Sequence, residues 1–373
     1  MARAMKRLYL DANGSMPASR AAQEKLKSLL ELCGNPSSFH EHGRAVRMVI
    51  DEARAHIASA VLAKSKEVIF TSGASEANRL FVDALVKKAK LEEQRLRVLM
   101  SPFEHPSLYK PILEAGELGL IDVSIMNVDA EGFLDMDEAS LRACDVLIMC
   151  QAHNETGIIP DLEKALQVVG PETLVMSDIS QGFARLPLVS SRVDVLTFSA
   201  QKMGGFSGAG ALVLRGRGTS LPAPWLGGGQ ERGFRPGTES TLLIAAFGEA
   251  ARGLDEVRAL HQKQAVIRDD FENTIAKKLP VHILGQHAPR LANTSALCFF
   301  NADPDALRIA CDLHGLSVGF GAACSGLAPS GSFALKRLGL SLQEEKTCIR
   351  FSLPPDTTGE AMQEAARRLL QFI

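Results

Sequence analysis

The sequence predicts an α/β protein with two domains: a large domain built on a mostly parallel sheet, and a smaller α+β domain at the carboxyl end. Two observations lead to this fold class. Between residues 68 and 176, short apolar runs alternate with segments of helical spacing, an order typical of a parallel sheet covered by helices on both faces. After about residue 279, strands and helices follow in mixed order. We place the large domain at 14–255 and the small domain at 256–373 together with 1–13.

The amino-terminal part leads into the large domain. A short strand is predicted over 8–11, and residues 18–32 have helical spacing that Gly34 ends. The polar, turn-rich stretch 34–43 then precedes a long predicted helix over 44–61. This stretch is either the wall of a site or only a connection.

The central part alternates between strand and helix. Predicted strands occupy 68–70, 98–100, 123–126, 146–149, 173–176, 195–198 and 211–214. Predicted helices occupy 76–91, 107–116, 137–142 and 161–169. Ligands of such sheets collect at the carboxyl ends of the strands, so the turns that follow these strands are the expected place for a site.

The carboxyl-terminal part begins with residues 238–279, which read as one long, nearly continuous helix connecting the two domains. The small domain then has predicted strands at 281–284, 294–300, 316–318 and 347–353, and predicted helices at 304–314, 331–338 and 359–371. The chain as a whole shows no internal repeat and no low-complexity segment.

Charge and hydropathy exclude several classes of partner. The 373 residues carry a formal net charge of -2, so the chain lacks the basic surface that nucleic acids and anionic membranes require. The amino-terminal residues are basic but have no apolar signal core, and no later run approaches transmembrane length. We therefore expect a cytoplasmic protein whose partners are small molecules or other proteins.

The cysteines suggest neither a disulfide framework nor a zinc site. They are seven in number and scattered, without a Cys-x-x-Cys pair. Six have apolar or helical contexts that suit buried thiols, whereas Cys324 lies among small residues. Their positions are 33, 144, 150, 298, 311, 324 and 348. No metal is expected.

Lys202 is the first candidate for chemistry. It stands among glycines and serines between two apolar, strand-like runs. An amine in a restricted apolar place has a lowered pKa, which favours the neutral nucleophile that a Schiff-base lysine requires. The alternative is a lysine at a strand end that extends its amine into solvent.

Polar residues at the other strand ends favour the first interpretation. Residues 71–76 follow a strand and open a helix, so their N–H groups and hydroxyls suit a phosphate, although such a turn is often only a helix cap. His105 either stacks on a planar cofactor and moves protons, or is a surface residue. Asp178 could pair with a pyridinium nitrogen, with Gln181 one helical turn further on, and 154–157 end another strand.

These parts together match the needs of pyridoxal 5'-phosphate. A carboxylate keeps the ring nitrogen protonated, an imidazole stacks on the ring, an anion cradle anchors the phosphate, and a lysine binds the aldehyde. Each part alone is a weak signal, and their occurrence in strand order is what indicates this cofactor.

The chain resembles the cysteine desulfurases, which belong to the class V aminotransferase-like group of fold-type I pyridoxal-phosphate enzymes. Matching stretches run from Asp11 to Ser352. They are Gly34-Asn-Pro-Ser-Ser38, Phe70-Thr-Ser-Gly-Ala-Ser-Glu76, Glu104-His105, Asn154-Glu-Thr-Gly157, Asp178 with Gln181, Lys202, Gly227-Gly-Gly-Gln-Glu-Arg232, Arg235-Pro-Gly-Thr238, Ala323-Cys324-Ser325 and Ile349-Arg-Phe-Ser352. The resemblance implies a pyridoxal-phosphate-dependent homodimer with L-cysteine as substrate and a sulfur-acceptor protein as partner.

The resemblance also implies a role for each matching residue. Lys202 forms the Schiff base, His105 stacks on the ring and carries protons, and Asp178 contacts the pyridine nitrogen. The phenolic oxygen falls to Gln181. Around the phosphate the implied residues are Ser75, Ser199 and Gln201, joined by Thr238 from the other subunit. The residues implied at the substrate are Asn35, Asn154 and Arg350, of which Asn154 also contacts the cofactor.

Cys324 gains its role from the same resemblance. Its thiolate is implied to attack the sulfur of the substrate, giving a persulfide on Cys324 and alanine as the product. The sulfur then passes to an acceptor for iron-sulfur cluster assembly or tRNA thiolation. The small residues of 318–326 suit a loop that swings. The alternative is an inert loop thiol.

The chain departs from the pattern of the family at several places. Gln201 replaces the usual histidine and can donate a hydrogen bond to phosphate but cannot carry charge. Gly14-Ser-Met-Pro17 replaces Ala-Thr-Thr-Pro, Pro236 stands where serine is usual, and Phe320 adds bulk. Residues 353–356 read Leu-Pro-Pro-Asp where Leu-Gly-Arg is common. The cofactor set stays nearly whole, while the substrate entrance is altered.

The predicted function is therefore that of a homodimeric cysteine desulfurase. One alternative is a related class V enzyme that acts on selenocysteine, cysteine sulfinate or another amino acid. A second is a weakly catalytic paralogue that binds pyridoxal phosphate and serves as a regulatory partner.

Overall fold

The computed structural model describes residues 6–300, 302–320 and 331–373. These residues form two sheets, one of seven strands and one of five, with helices packed against them. The predicted α/β class with a mostly parallel large sheet is confirmed. The domain boundaries at 14–255 and at 256–373 with 1–13 stay predictions.

The seven-stranded sheet forms the centre of the large domain. Its order is β2 (Val68–Thr71), β8 (Gly210–Leu214), β7 (Val195–Ser199), β6 (Leu174–Asp178), β5 (Val146–Ile148), β3 (Arg97–Met100) and β4 (Asp122–Ile125). Strand β8 is antiparallel to both of its neighbours, and the other neighbouring pairs are parallel. The carboxyl ends of β2, β3, β5, β6 and β7 therefore lie at one edge of the sheet.

Helices cover both faces of this sheet. They are α1 (Arg20–Ser28), α2 (Glu41–Ala60), α3 (Ala74–Leu91), α4 (Pro106–Glu117), α5 (Glu138–Ala143), α6 (Leu162–Val168) and α7 (Thr241–Arg252). Along β8, Ala211 and Val213 belong to one core with α2 and α7, whereas Leu212 and Leu214 belong to another with α3 and α4. Because both faces are buried, this strand is apolar throughout.

The five-stranded sheet forms the centre of the small domain. Its order is β1 (Leu8–Leu10), β11 (Leu316–Phe320), β12 (Cys348–Ser352), β10 (Thr294–Cys298) and β9 (His282–Ile283). Strand β1 runs parallel to β11, and the other neighbouring pairs are antiparallel. The accompanying helices are α8 (Leu254–Gln262), α9 (Gln264–Ala276), α10 (Pro304–Leu313), α11 (Phe333–Arg337), α12 (Leu342–Lys346) and α13 (Gly359–Leu369).

The prediction of one long helix over 238–279 was wrong, because the segment is divided into α7, α8 and α9. Gly253, a poor helix former, separates α7 from α8. At the second break the N–H of Lys263 bonds to the oxygen of Leu260, three residues back, which tightens the turn. Next to it, the amide of Gln264 donates to the carbonyl oxygen of Pro354, so a tertiary contact fixes the change of direction.

Two expectations about the cysteines were also wrong. Cys298 and Cys348 form a disulfide, because the register of β10 and β12 places them directly opposite each other with a Cα–Cα distance of 3.9 Å. Their separation of 50 residues hides this pairing in the sequence. Cys33 is exposed rather than buried, since α1 has already ended when the chain reaches it. The thiols buried as expected are Cys144, Cys150 and Cys311.

Membrane-spanning helices and metal-binding groups of side chains are both absent from the described ranges. No helix there combines the length and apolar character needed to cross a bilayer. No group of three or more His, Cys, Asp or Glu side chains in those ranges is arranged to hold a metal ion.

Candidate active site

A cavity of about 290 Å³ opens where the parallel strands of the large sheet end. The predicted residues that line it are Ser75, His105, Asn154, Asp178, Gln181, Ser199, Gln201 and Lys202. They come from turns after five different strands or from the strand ends themselves. The residues predicted from the sequence are therefore gathered at the edge where ligands of such sheets bind.

Lys202 ends the short turn that follows β7, and its amine is directed into the protein. Nζ donates a hydrogen bond to the carbonyl oxygen of Asn13 at 2.8 Å and another to the carbonyl oxygen of Gly14. The turn at 13–14 thus lies against the amine at one wall of the cavity. This arrangement agrees with the Schiff-base interpretation and not with a lysine extended into solvent.

Asp178 is the last residue of β6, and only 7% of its surface is exposed. Its Oδ1 accepts a hydrogen bond from the N–H of Ser180 at 2.9 Å, and its Oδ2 accepts one from the amide of Asn78 at 3.0 Å. The amide of Asn78 is oriented in turn by the hydroxyl of Thr197, which donates to its Oδ1 at 2.6 Å. A buried carboxylate held in one orientation suits a protonated ring nitrogen.

His105 is the N-cap of α4 and lines the same cavity. Its Nδ1 accepts a hydrogen bond from the N–H of Ser107 at 3.1 Å and lies 2.8 Å from the Ser107 hydroxyl oxygen. Burial is the main cause of a lowered pKa of the His105 imidazole; the carboxylate of Asp178 opposes the shift and Lys202 adds to it. The imidazole is therefore neutral at neutral pH, and because Nδ1 accepts from Ser107, its proton is on Nε2 and can be donated.

The first turn of α3 provides the anion site. The helix begins after Gly73, and no side chain caps it, so its leading N–H groups are available to an anion. Backbones approach closely here, because a Cβ on Gly210 would lie 2.6 Å from the backbone of Gly73. Next to Gly73, the Ser199 hydroxyl donates to Oε1 of Gln201 at 2.7 Å, so Gln201 would meet an anion through its amide N–H groups.

Gln181 is buried beside the lysine. Its amide nitrogen donates one hydrogen bond to the carbonyl oxygen of Asn13 at 3.1 Å, the same oxygen that accepts from Lys202. The second amide hydrogen suits the phenolic oxygen of the cofactor, as the resemblance implies. Gln181 Oε1 is buried and lacks a hydrogen-bond partner among the described atoms.

These residues fit pyridoxal phosphate. A buried carboxylate, an imidazole, an inward amine and a helix N-terminus with hydroxyls surround one cavity, and each supplies the group that one part of the cofactor requires.

Arg350 lies on β12 and reaches the wall of the cavity without lining it. Its Nη1 donates to the carbonyl oxygen of Asn154 at 2.9 Å, and its Nη2 donates to Oδ1 of Asp11 at 2.6 Å. Strand β12 of the five-stranded sheet thus places a guanidinium next to a cavity that lies at the edge of the seven-stranded sheet.

Two of the predicted residues lie outside the cavity, and a third cannot be placed relative to it. Asn35 is exposed, and its Oδ1 accepts a hydrogen bond from the N–H of Ser37. Thr238 is exposed as well and lies outside the cavity of its own chain. Cys324 lies outside the described residues. The roles of all three stay predictions.

Sequence reasoning assigned no role to Asn13, which lines the cavity, to Asn78, which contacts Asp178, or to Glu104, which precedes His105. Glu104 is buried, and its Oε1 accepts a hydrogen bond from the N–H of Cys150 at 2.6 Å. Burial raises the pKa of Glu104 to about 8, so the carboxyl group is protonated at neutral pH. The position of Glu104 next to His105, in a stretch that matches the family, could have pointed to it from the sequence. No such motif points to Asn13 or Asn78.

Comparison with known proteins agrees with this geometry. The model of the aminotransferase class-V family matches residues 8–364 of the chain. The fold and the cavity together define a pyridoxal-phosphate-dependent enzyme of fold type I.

The relatives narrow the class. The chain is 32% identical over 366 residues to a cysteine desulfurase IscS of Dictyoglomus turgidum, covering 95% of this chain and 92% of that protein. It is 33% identical over 384 residues to a cysteine desulfurase of Frankia sp., covering 96% and 89% of the two chains. The chain belongs to the cysteine desulfurase family within the class V aminotransferases, as the matching motifs predicted.

Solved structures are similar as well. A NifS-like protein from Rickettsia africae superposes with a TM-score of 0.86 at 28% identity, covering 98% of this chain and 99% of that one. SspA, solved in complex with cysteine, superposes with a TM-score of 0.78 at 27% identity, covering 94% and 99%.

Proposed function

We propose that this protein converts L-cysteine into L-alanine and takes up the sulfur as a persulfide on Cys324. The observation that supports the reaction most directly is the convergence of Lys202, Asp178 and His105 on one cavity. The names of the relatives and the cysteine held by SspA support the choice of substrate.

Each cavity residue then has a distinct task. Lys202 would hold the cofactor covalently, Asp178 would hold its ring nitrogen, and the first turn of α3 would hold its phosphate. The bound cofactor supplies an electron sink for negative charge that develops next to the substrate amine. His105, neutral because its pKa is lowered, donates its Nε2 proton at the substrate and takes it back. Arg350 receives the substrate carboxylate through its planar fork.

Sulfur transfer is assigned to Cys324. Its thiolate attacks the sulfur of the substrate, an S–S bond forms, and the C–S bond breaks. The electron pair of the broken bond stays with the carbon skeleton, which takes up a proton and leaves as alanine. A thiol of an acceptor protein then removes the outer sulfur, for iron-sulfur cluster assembly or tRNA thiolation. Supporting this role is the match of Ala323-Cys324-Ser325 to the motif of the family.

We also propose a homodimer. Large apolar side chains on the large domain are exposed, including Phe39 at 88%, Met48 at 71% and Leu226 at 93%. Thr238, exposed and outside its own cavity, is free to reach the phosphate site of a second copy. Sedimentation of the purified protein should give twice the 40.1 kDa chain mass; a monomer at micromolar concentration would contradict this proposal.

The central experiment uses purified protein loaded with pyridoxal phosphate. Incubation with L-cysteine and a thiol reductant should give equal amounts of alanine and sulfide. Cys324→Ala should keep the visible absorbance of the bound cofactor and release no sulfide, whereas Cys33→Ala, which removes an exposed thiol, should behave like the wild type.

A second measurement tests the lysine. Borohydride reduction followed by peptide mapping should place the cofactor on Lys202, and Lys202→Ala should contain no covalent label. Equal turnover by Cys324→Ala and the wild type would exclude the persulfide role. If alanine forms only from cysteine sulfinate or selenocysteine, the substrate is that amino acid and not L-cysteine. If the protein binds the cofactor but turns over none of these amino acids, the regulatory paralogue is favoured.

A further inference from the structure

The guanidinium of Arg350 is almost completely enclosed, with 6% of the residue exposed. Oδ1 of Asp11 accepts from Nη2 at 2.6 Å, and the carbonyl oxygen of Asn154 accepts from Nη1 at 2.9 Å. Nε is buried without an acceptor among the described residues. Within those residues, Asp11 is the carboxylate that forms an ion pair with Arg350. These contacts use two of the five N–H groups of the guanidinium, and the Nε–H is among those that remain for a further acceptor.

The fold holds Asp11 in this place. Asp11 follows β1 and forms a backbone bridge with Ser352, the last residue of β12. The next turn passes closely beneath its carboxylate, because a Cβ on Gly14 would lie 2.5 Å from Oδ2 of Asp11. The backbone bridge to Ser352 and the close turn at Gly14 therefore fix the position of Asp11 at the edge of the sheet.

The neighbouring strand leaves room for the guanidinium. Gly319 lies directly across from Arg350 in the pairing of β11 with β12. A Cβ at this position would lie 2.5 Å from Nη2 and 2.8 Å from Nε. The absence of a side chain allows the guanidinium to lie against the strand with Nε and Nη2 in reach of acceptors.

From these contacts we infer that Asp11 limits the affinity of the Arg350 site for carboxylates, because its carboxylate occupies Arg350 and competes with the carboxylate of an incoming substrate. The inference rests on the proposed function, in which Arg350 receives that group. A substrate carboxylate at Nε and Nη2 brings a second negative charge to the guanidinium that Asp11 already neutralises. Repulsion between two carboxylates at one site weakens the binding of the second.

This competition selects a class of ligand. A simple carboxylic acid has only Arg350 to bind and must overcome Asp11 with that single contact. An α-amino acid also presents an amine to the cofactor, so it has a second source of affinity. Asp11 lowers the affinity for both ligands, so at a given concentration the amino acid, with its second contact, still binds where the simple carboxylate does not.

The test compares Asp11→Asn with the wild type. Asparagine keeps the shape and the acceptor oxygen for Nη2 but removes the charge. Titration calorimetry with propionate, on the holoenzyme and on protein without cofactor, should give an about five-fold lower dissociation constant for the variant, equivalent to about 1 kcal/mol. The KM for L-cysteine should fall in the same direction. If Asp11 only holds Arg350 in position, Asp11→Asn should instead bind propionate more weakly than the wild type.

Two further variants complete the test. Arg350→Gln should lose propionate binding, and Asp312→Asn, which removes an exposed partner of Arg7, should leave it unchanged. Unchanged or weaker propionate binding by Asp11→Asn overturns the inference, and so does full binding by Arg350→Gln. If the wild type fails to turn over L-cysteine, the proposed reaction fails, while the propionate titration still decides the role of Asp11.

Discussion

At the scale of single residues, burial sets the charge of Glu104. The carboxyl group has a pKa of about 8 because burial disfavours its ionised form, while the same group in the unfolded chain ionises near 4.5. Between these values the folded protein binds one more proton than the unfolded chain. The free energy of unfolding therefore decreases as pH rises through this window, by about 1.4 kcal/mol per pH unit from this group.

Glu104→Gln removes this ionisation and keeps the oxygen that accepts from the N–H of Cys150. Denaturant unfolding between pH 5 and pH 8 should show the free energy of unfolding of the variant rising relative to the wild type as pH increases. Glu117→Gln, at the exposed end of α4, should follow the wild type across this range. Parallel curves for Glu104→Gln and the wild type would show that the carboxyl group is already ionised.

Asn78 provides a second prediction at this scale, because its amide holds Asp178 and also donates to the hydroxyl oxygen of Ser107 at 3.0 Å. Asn78→Ala should raise the dissociation constant for pyridoxal phosphate about ten-fold, since a hydrogen bond to a charged group contributes about 1.5–3 kcal/mol. Equilibrium titration of protein without cofactor measures this. Arg79→Ala, one residue further along on the exposed face of α3, is the matched control. Equal affinities of Asn78→Ala and the wild type would contradict the positioning role.

The two kinds of site residue differ in how far sequence predicts them. Asp178 and Ser199 were predictable because each directly ends a strand, and parallel strands bring their carboxyl ends together. Asn13 and Asn78 were not predictable, because their roles depend on contacts with groups more than 90 positions away in the sequence. A buried asparagine on a helix has the same sequence context whether it faces an apolar core or a cofactor site.

At the scale of elements, α2 and α7 approach each other at a point that tolerates no side chain. A Cβ on Gly248 would lie 2.5 Å from the Cα of Ala53. Gly248→Ala should therefore separate the two helices and lower the free energy of unfolding by about 1–3 kcal/mol. Gly359→Ala is the matched control, since no neighbouring atom lies within 4 Å of the added group. Equal loss in both variants, measured by denaturant unfolding, would locate the effect in the backbone and not in this contact.

Elements were predictable where local signals are strong and not where tertiary contacts decide. The strand and helix alternation of the large domain follows from apolar periodicity. Helix α12 was missed, although Ser341 and Glu344 form a capping box that the sequence displays as Ser-x-x-Glu. The break between α8 and α9 depends on a contact of Gln264 with a residue 90 positions further on, so no local pattern indicates it.

At the scale of the whole molecule, one buried ion pair connects distant parts of the large domain. Arg54 on α2 forms two hydrogen bonds with Glu231, whose other donor is the N–H of Phe70 on β2. The side chain of Glu231 has no exposed surface. Arg54→Ala leaves this carboxylate buried without its cation and should destabilise the protein by about 3–5 kcal/mol.

The control for this prediction is Arg20→Ala, which breaks a pair whose side chains are 92% and 60% exposed. Its effect on the free energy of unfolding should be below about 1 kcal/mol. Thermal or denaturant unfolding of both variants measures the two effects. Similar decreases in the free energy of unfolding would show that the burial of Glu231 does not determine how much Arg54 stabilises the protein.

The pairing of β1 with β11 determines when the catalytic pocket can be completed during synthesis. Leu8 finds its neighbour only at Leu316, so the first strand to leave the ribosome waits for nearly the last part of the chain. The large sheet needs neither strand and is able to fold in the meantime. The carbonyl groups that hold Lys202 follow directly after β1, and the N–H of Asn13 donates to the hydroxyl of Ser352 on β12, so strands made late in synthesis help to fix these carbonyl groups. A nascent chain that stops short of β11 therefore carries Lys202 before the strands that support this wall of the cavity have been made.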